Sequence, residues 1–411
     1  MTAPAPRRPS ARSRRAEELQ GLLVLALCCF IAVSTEVMPI GLLPAIGADL
    51  GVGESRAGML VSLYAALVVL LAVPLTTALH RIDGRSILAV TMLGYLVAGL
   101  LSALAPGFAT LALARALGGV THAVFFSVCI GYSARLVPPE RTARAMAIVS
   151  AGISAGLVLG APAATAIGSA LSWRHASAAL AIASGLALVV VLLRLPRVDA
   201  APAAPARSQA AARPALVAVV AANMLVFFGQ FMLYTFLAVL LLRAGAAESS
   251  ISVIQLVLGA VGLLGIMAAA PLLDRRPHAT ALVLFSVVGA AIALLGLAHG
   301  SLAAVLALGV VWNLFYAPAP TLFQSAAVRT GALAPEIAGA WVNTTSNIGI
   351  AGGSFAGALL LESSGMTALA LGAAGVVLAG AVLIAVRPHA FAVRPAPEDP
   401  VEEQAPASVV A

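Results

Sequence analysis

The chain has 411 residues, 61% of them hydrophobic and only 9% charged, with a formal net charge of +7. A water-soluble chain of this length needs far more polar cover, so lipid is the solvent for most of it. The basic residues are all arginine and fall mostly between apolar runs, which argues against a nucleic-acid surface.

In chain order, residues 1–20 are basic and proline-bearing and read as a cytoplasmic tail, because the apolar run that follows is too long for a signal-peptide core. Apolar runs then cover 21–43, 57–79, 87–105, 108–132, 143–166 and 176–195, and after a break 215–242, 251–273, 279–298, 302–322, 337–361 and 367–386. Each is close to the ~20 residues that carry a helix across a bilayer. A helix is expected over a strand because it pairs its own backbone groups in lipid. The expected fold is therefore an all-α membrane protein of twelve helices. Its parts are an N-terminal six-helix bundle at 21–195, a cytoplasmic linker at 196–213 rich in Ala and Pro, a C-terminal six-helix bundle at 214–387, and a disordered tail at 388–411. With the N-terminus inside, Arg56, Arg174 and Arg243 alone fall outside and Arg115 alone falls within the membrane. That asymmetry places both termini in the cytoplasm.

The two halves echo each other. Gly152, Gly156 and Gly160 of the fifth run recur 197 positions on as Gly349, Gly353 and Gly357, and Pro74 recurs at the same offset as Pro271. A duplicated six-helix unit is a transporter plan, with the binding site between the halves.

Glu36 stands alone in the first run, followed by Pro39 and Pro44. A charge there costs ~2.5–3.5 kcal/mol unless it has a partner, a cavity or a proton. Pro39 has no N–H, so the carbonyl of Thr35 loses its helix bond beside Glu36. Arg115 in the fourth run lies ~10 Å below the outer surface and Glu36 ~12 Å, at 1.5 Å per residue. Matching depth predicts that the two side chains pair. His122 shares the face of Arg115 with Gly119 and Phe126 and has two open readings, proton relay or packing. Gly152, Gly156 and Gly160 allow close helix contact, with Pro162 beyond them; the expectation is a seam that opens and closes. Short charged stretches recur at the inner face of each half, with Arg81, Gly84 and Arg85 in the first and Asp274 and Arg275 in the second. Asn223, Gln230, Tyr234, Asn313, Asn343 and Asn347 suit either hydrogen bonding to an uncharged ligand or bonding between helices. No phosphate loop, zinc-ligand cluster or nucleophile elbow is present, so the chain does not read as an enzyme, and neither metal nor cofactor is expected. Cys28, Cys29 and Cys129 make no disulfide framework or metal site.

The stretches TEVMPIGLLPAIGADLGV, LARALGGVTHAVFFS and LVPPERTARAMAIVSAGISAGLVLGAPAATAIGSALSWR resemble the bacterial drug–proton antiporter branch of the major facilitator superfamily, with PLLDRRP and APEIAGAWVNTTSNIGIAGGSFAGALLL carrying the likeness into the second half. The arabinose-efflux-permease-like and sugar-efflux members are the nearest in kind. The resemblance implies that Arg115 and Gly119 belong to the fourth-helix motif of proton transfer, and that Gly152, Gly156, Gly160 and Pro162 form the helix-five motif of exporters. It also implies that Asp274 and Arg275 preserve a cytoplasmic loop motif whose first-half copy keeps only Arg81, Gly84 and Arg85. The expected function is proton-coupled export of small molecules (drug, sugar or metabolite) by a monomer in the bacterial inner membrane, with protons, the substrate and lipid as partners and no nucleic acid. An uptake symporter or facilitator on the same fold is the alternative, and a membrane sensor without transport the less favoured one.

Overall fold

The computed structural model describes residues 11–79, 82–138, 141–196, 212–333 and 335–391. Among these, eleven helical runs are long and apolar enough to cross a membrane. The last of them settles the count. Helix α14, Pro335–Val386, has 52 residues, ~78 Å at 1.5 Å per residue, more than twice the hydrocarbon thickness. Gly365 breaks it, with φ 80° and ψ −175°. Only glycine takes that backbone readily, so the run turns back on itself and yields the eleventh and twelfth spans.

The first six spans are α1 (Ala11–Asp49), α2 (Glu54–Leu79), α3 (Gly84–Ala103), α4 (Phe108–Arg135), α5 (Thr142–Ala155) continued by α6 (Ala161–Ala170), and α7 (Trp173–Arg194). The second six are α8 (Arg213–Tyr234) continued by α9 (Leu237–Arg243), α10 (Ile251–Arg275), α11 (Pro277–Ala298), α12 (Leu302–Tyr316) continued by α13 (Ala319–Arg329), and the two legs of α14. The tenth span breaks at Ala317–Pro318, where proline removes a helix bond. Two boundaries differ from expectation. Helix α1 begins at Ala11, so residues 11–20, expected as a cytoplasmic tail, are helical. Pro388–Phe391 forms a 3-10 turn whose Phe391 is buried beside Phe323, so the disordered tail does not start at 388.

Large apolar side chains such as Leu70, Val90, Leu113, Leu193, Leu264 and Val382 point outward, while Tyr64, Tyr95, Trp173 and Trp312 are buried. This inversion is what lipid as solvent demands.

The glycine stripes show the duplication in space. A Cβ on Gly152, Gly156 or Gly160 would strike Ala26, Phe30 or Ser34 of α1. A Cβ on Gly349, Gly353 or Gly357 would strike Met224, Phe228 or Met232 of α8. Both rows step by four on each helix, so the fifth span clasps the first as the eleventh clasps the seventh.

The halves meet at the end that carries the turn between α1 and α2. Arg243 Nη2 donates to Glu54 Oε2 over 2.6 Å. Gly58 of α2 faces Phe236, whose ring would lie 2.5 Å from a Cβ there. Thr165 of α6 reaches Gln255 of α10, and Val158 lies against Gly259.

Candidate functional site

The site grows from the proline in α1. Pro39 brings no N–H to Thr35 O, and an unpaired buried carbonyl costs ~1–3 kcal/mol. Arg115, 3% exposed, supplies the missing donor. Its Nη1 donates to Thr35 O at 2.8 Å and its Nη2 to Glu36 O at 3.0 Å. The guanidinium also lies 4.2 Å over the ring of Tyr64. This corrects the expected ion pair. Arg115 holds the backbone at Glu36 and not its carboxylate, because Pro39 leaves Thr35 O without its helix donor and a guanidinium can reach it.

The Glu36 carboxylate turns instead to the imidazole of His122, with Oε2 3.7 Å from Nε2. That gap is too long for a direct hydrogen bond. On the far side of the ring, Nδ1 stands 2.8 Å from the hydroxyl of Tyr64 and 3.0 Å from that of Tyr95. A phenol donating to Nδ1 leaves the ring proton on Nε2, the nitrogen that faces Glu36. Phe126 closes the other flank, its ring 4.6 Å from the imidazole. Gly119 makes the arrangement possible: a Cβ there would sit 2.6 Å from Tyr64 O, so glycine lets α4 bring Arg115 and His122 onto α2. Tyr64 and Tyr95 escaped the sequence reading, although each places a phenol hydroxyl within an apolar run.

The helix-five stripe lies against α1, within its own half. It is not the seam between halves, which corrects that expectation. Part of the contact between the halves is made by the π turn Gly156–Gly160, through Val158. Pro162 brings no N–H to the carbonyl four residues back, Val158, and a π turn is the geometry that reaches five residues on. The widened turn presents Val158 to Gly259 of the other half.

The second-half polar residues divide. Asn223 Nδ2 lies 3.0 Å from Val342 O, 2.9 Å from Thr345 Oγ1 and 3.0 Å from Ser346 Oγ. Its donors are taken, so it joins α8 to α14 and leaves the cavity set. Gln230 Oε1 accepts from Trp312 Nε1 at 2.6 Å and fixes that ring. Asn347 donates to Asn343 O at 3.0 Å, with its Oδ1 buried and unpaired, while Asn343 is exposed. Tyr234 and Asn313 do line a space between the halves, together with Leu157, Pro162 and Gln255. Gln255 was missed, though its amide interrupts the apolar run of α10.

Near the linker, Asp83 caps α3 by accepting from Ser86 N at 3.1 Å. Gly84 lets Tyr132 approach, and Arg85 donates to Leu192 O on α7. Asp274 and Arg275 end α10. Arg81 lies outside the described residues. Among the described residues no group of three His, Cys, Asp or Glu side chains could hold a metal.

Twelve spans in two repeated halves, with a buried polar cluster in one half and a space between the two, define a membrane transporter. The family profile of the Major Facilitator Superfamily matches residues 25–334, and the chain belongs to that superfamily. It is 33% identical over 387 residues to a chloramphenicol efflux pump of Mycobacterium tuberculosis, covering 90% of this chain and 92% of the relative. It is 26% identical over 373 residues to a probable sugar efflux transporter of Mannheimia succiniciproducens, covering 89% and 91%. Among solved structures, a bacterial homologue of the human lysosomal transporter Spinster, in an inward-facing and occupied conformation, shares the fold with a TM-score of 0.71 at 16% identity, over 90% of this chain and 95% of that one. The protein is thus a multi-pass membrane transporter for small molecules.

Proposed function

We propose that the protein exports uncharged small molecules of the drug or sugar type in exchange for protons, by alternating access, from the inner membrane of a bacterium. The observation that carries the reading is Glu36. Its carboxylate is 19% exposed and faces a histidine across 3.7 Å, while Arg115, the nearby cation, is engaged with backbone carbonyls. A carboxylate without a committed counter-charge can take and release a proton, whereas one locked in a bidentate ion pair cannot do so readily. Glu36, Arg115 and His122 therefore form the proton-coupling group, with Tyr64 and Tyr95 orienting the histidine. The arginine distribution supports cytoplasmic termini, so the end where Glu54 meets Arg243 is the outer one, closed here. The relatives named as efflux proteins favour export over uptake. The transporter acts as a monomer, each chain holding a complete pair of halves, and the helical bundles 21–195 and 214–387 rock as the two units.

A 100 mV potential gives ~2.3 kcal/mol per charge moved. One proton per cycle at that potential supports ~50-fold accumulation, since 1.4 kcal/mol is tenfold. Purified protein in liposomes, with a pH step and radiolabelled chloramphenicol, tests the reading. Uphill movement that a protonophore abolishes is expected. Movement that only dissipates the gradient of the solute, with or without the pH step, would point to a facilitator.

A further inference from the structure

The space between the halves is built from Leu157, Tyr234, Leu237, Gln255, Leu258 and Asn313, with Ala161, Pro162 and Gly259 completing it. None of these nine residues carries a charge. The proton-coupling group is absent from the lining, so a solute held here does not touch Glu36. The polar groups are few and partly engaged. Asn313 Nδ2 donates to Gly309 O at 2.9 Å, which leaves its carbonyl oxygen as an acceptor. Gln255 Oε1 lies 2.9 Å from Thr165 Oγ1 on the other half. The amide nitrogen of Gln255 makes no hydrogen bond among the described residues.

Thr165 has a second acceptor. Its hydroxyl also lies 2.9 Å from Ala161 O, one turn back in α6. A hydroxyl has one proton for two carbonyl oxygens. When the halves part, Thr165 keeps the Ala161 bond, so it loses no pairing. Gln255 loses the one hydrogen-bond partner it has among the described residues and is left with an amide facing an apolar space. Gly41 of α1 roofs the contact, because a Cβ there would collide with Thr165 and come within 3.0 Å of the Gln255 amide.

We propose that this space binds an uncharged amphipathic solute bearing amide or hydroxyl groups, and that Gln255 alternates between Thr165 in the closed state and that solute in the loaded one. The proposal rests on the transporter reading and assigns the side chain that recognises the solute. An uncharged wall rejects a cation because nothing repays its lost hydration. A buried amide rejects a solute that cannot hydrogen-bond to it.

Binding of chloramphenicol and of isopropyl thiogalactoside, both uncharged, and of tetraphenylphosphonium, a permanent cation, is measured on the full chain in detergent. The variants are Gln255→Met, which keeps the length and removes the amide, and Thr165→Val, which removes the hydroxyl. The wild type should bind at least one uncharged probe and bind the cation at least tenfold more weakly. Gln255→Met should weaken the uncharged probe about tenfold. Thr165→Val should bind it as tightly or more tightly, because the amide is released. A purely structural bond would move both variants the same way, and that outcome would overturn the proposal. So would a Gln255→Met affinity equal to wild type, equal binding of the cation, or no wild-type binding of either uncharged probe. Gln255→Glu gives a second check, since it should raise affinity for the cation and lower it for the uncharged probe. If binding behaves as stated but no proton-driven movement occurs in liposomes, the coupling reading fails while this one stands.

Discussion

Arg115 donates to Thr35 O at 2.8 Å, and that carbonyl is the one Pro39 leaves without a helix partner. The two features answer each other. Proline opens α1 beside Glu36, and a cation from α4 closes the gap while leaving the carboxylate free. An arginine in this role is a backbone splint, and its charge also steadies the carboxylate at short range.

The splint predicts a thermodynamic cycle. Arg115→Ala strips the donor from Thr35 O, a buried carbonyl that costs ~1–3 kcal/mol when orphaned. Pro39→Ala gives Thr35 O a helix N–H again. The fall in melting temperature caused by Arg115→Ala should therefore shrink in the Pro39→Ala background. Strict additivity in detergent thermal unfolding would show that the arginine does not serve the carbonyl.

Helix-five glycines should respond as packing positions. Gly152→Ala puts a methyl group into Ala26 O, and Gly353→Ala does the same at Phe228 O in the other half. Overpacking of this kind costs ~1–3 kcal/mol or more. Both variants should lose melting temperature, while Gly131→Ala, with no atom within 4 Å of its Cβ, should not. Normal stability with slow transport for Gly152→Ala would return the stripe to a gating role.

The closed end makes a separate prediction. A large side chain at Gly58 cannot coexist with Phe236, so Gly58→Leu should hold the halves apart there. In a cysteine-free background, a cysteine at position 237 should react with a water-soluble maleimide faster in the Gly58→Leu variant, by about tenfold. Phe236→Ala should restore the slow rate to the pair. Equal rates in all backgrounds would mean that this contact does not govern access. The Glu54–Arg243 pair is half exposed and adds ~0–1 kcal/mol, too little to hold the end closed alone.

Much of this was readable before any coordinates. Apolar run length gave the spans, and the gap between 361 and 367 marked the Gly365 turn. Glu36, Arg115 and His122 stood out because ionisable groups in lipid are costly. Their pairing was not readable. Counting residues fixes depth along a helix but not direction around it, so matching depth implied a Glu36–Arg115 ion pair where the structure sets the arginine on Thr35 O and the histidine at the carboxylate. The glycine stripe likewise announces a close approach without naming the neighbour, which is α1. Tyr64, Tyr95 and Gln255 are not legible as site residues because charge, not neutral polarity, is what stands out in lipid, although each interrupts an apolar run as Asn313 does.

Proton-coupled export places the transported proton on Glu36. Everted membrane vesicles test it most directly, with respiration acidifying the interior, a pH-sensitive dye reporting it, and chloramphenicol added as solute. Wild type should release protons on addition of the solute, and the dye should recover fluorescence. Glu36→Gln keeps the shape of the side chain, should reach the membrane at wild-type levels, and should show no recovery at any pH between 6 and 8. Recovery at the wild-type rate in Glu36→Gln vesicles would contradict the account and move the proton to another group.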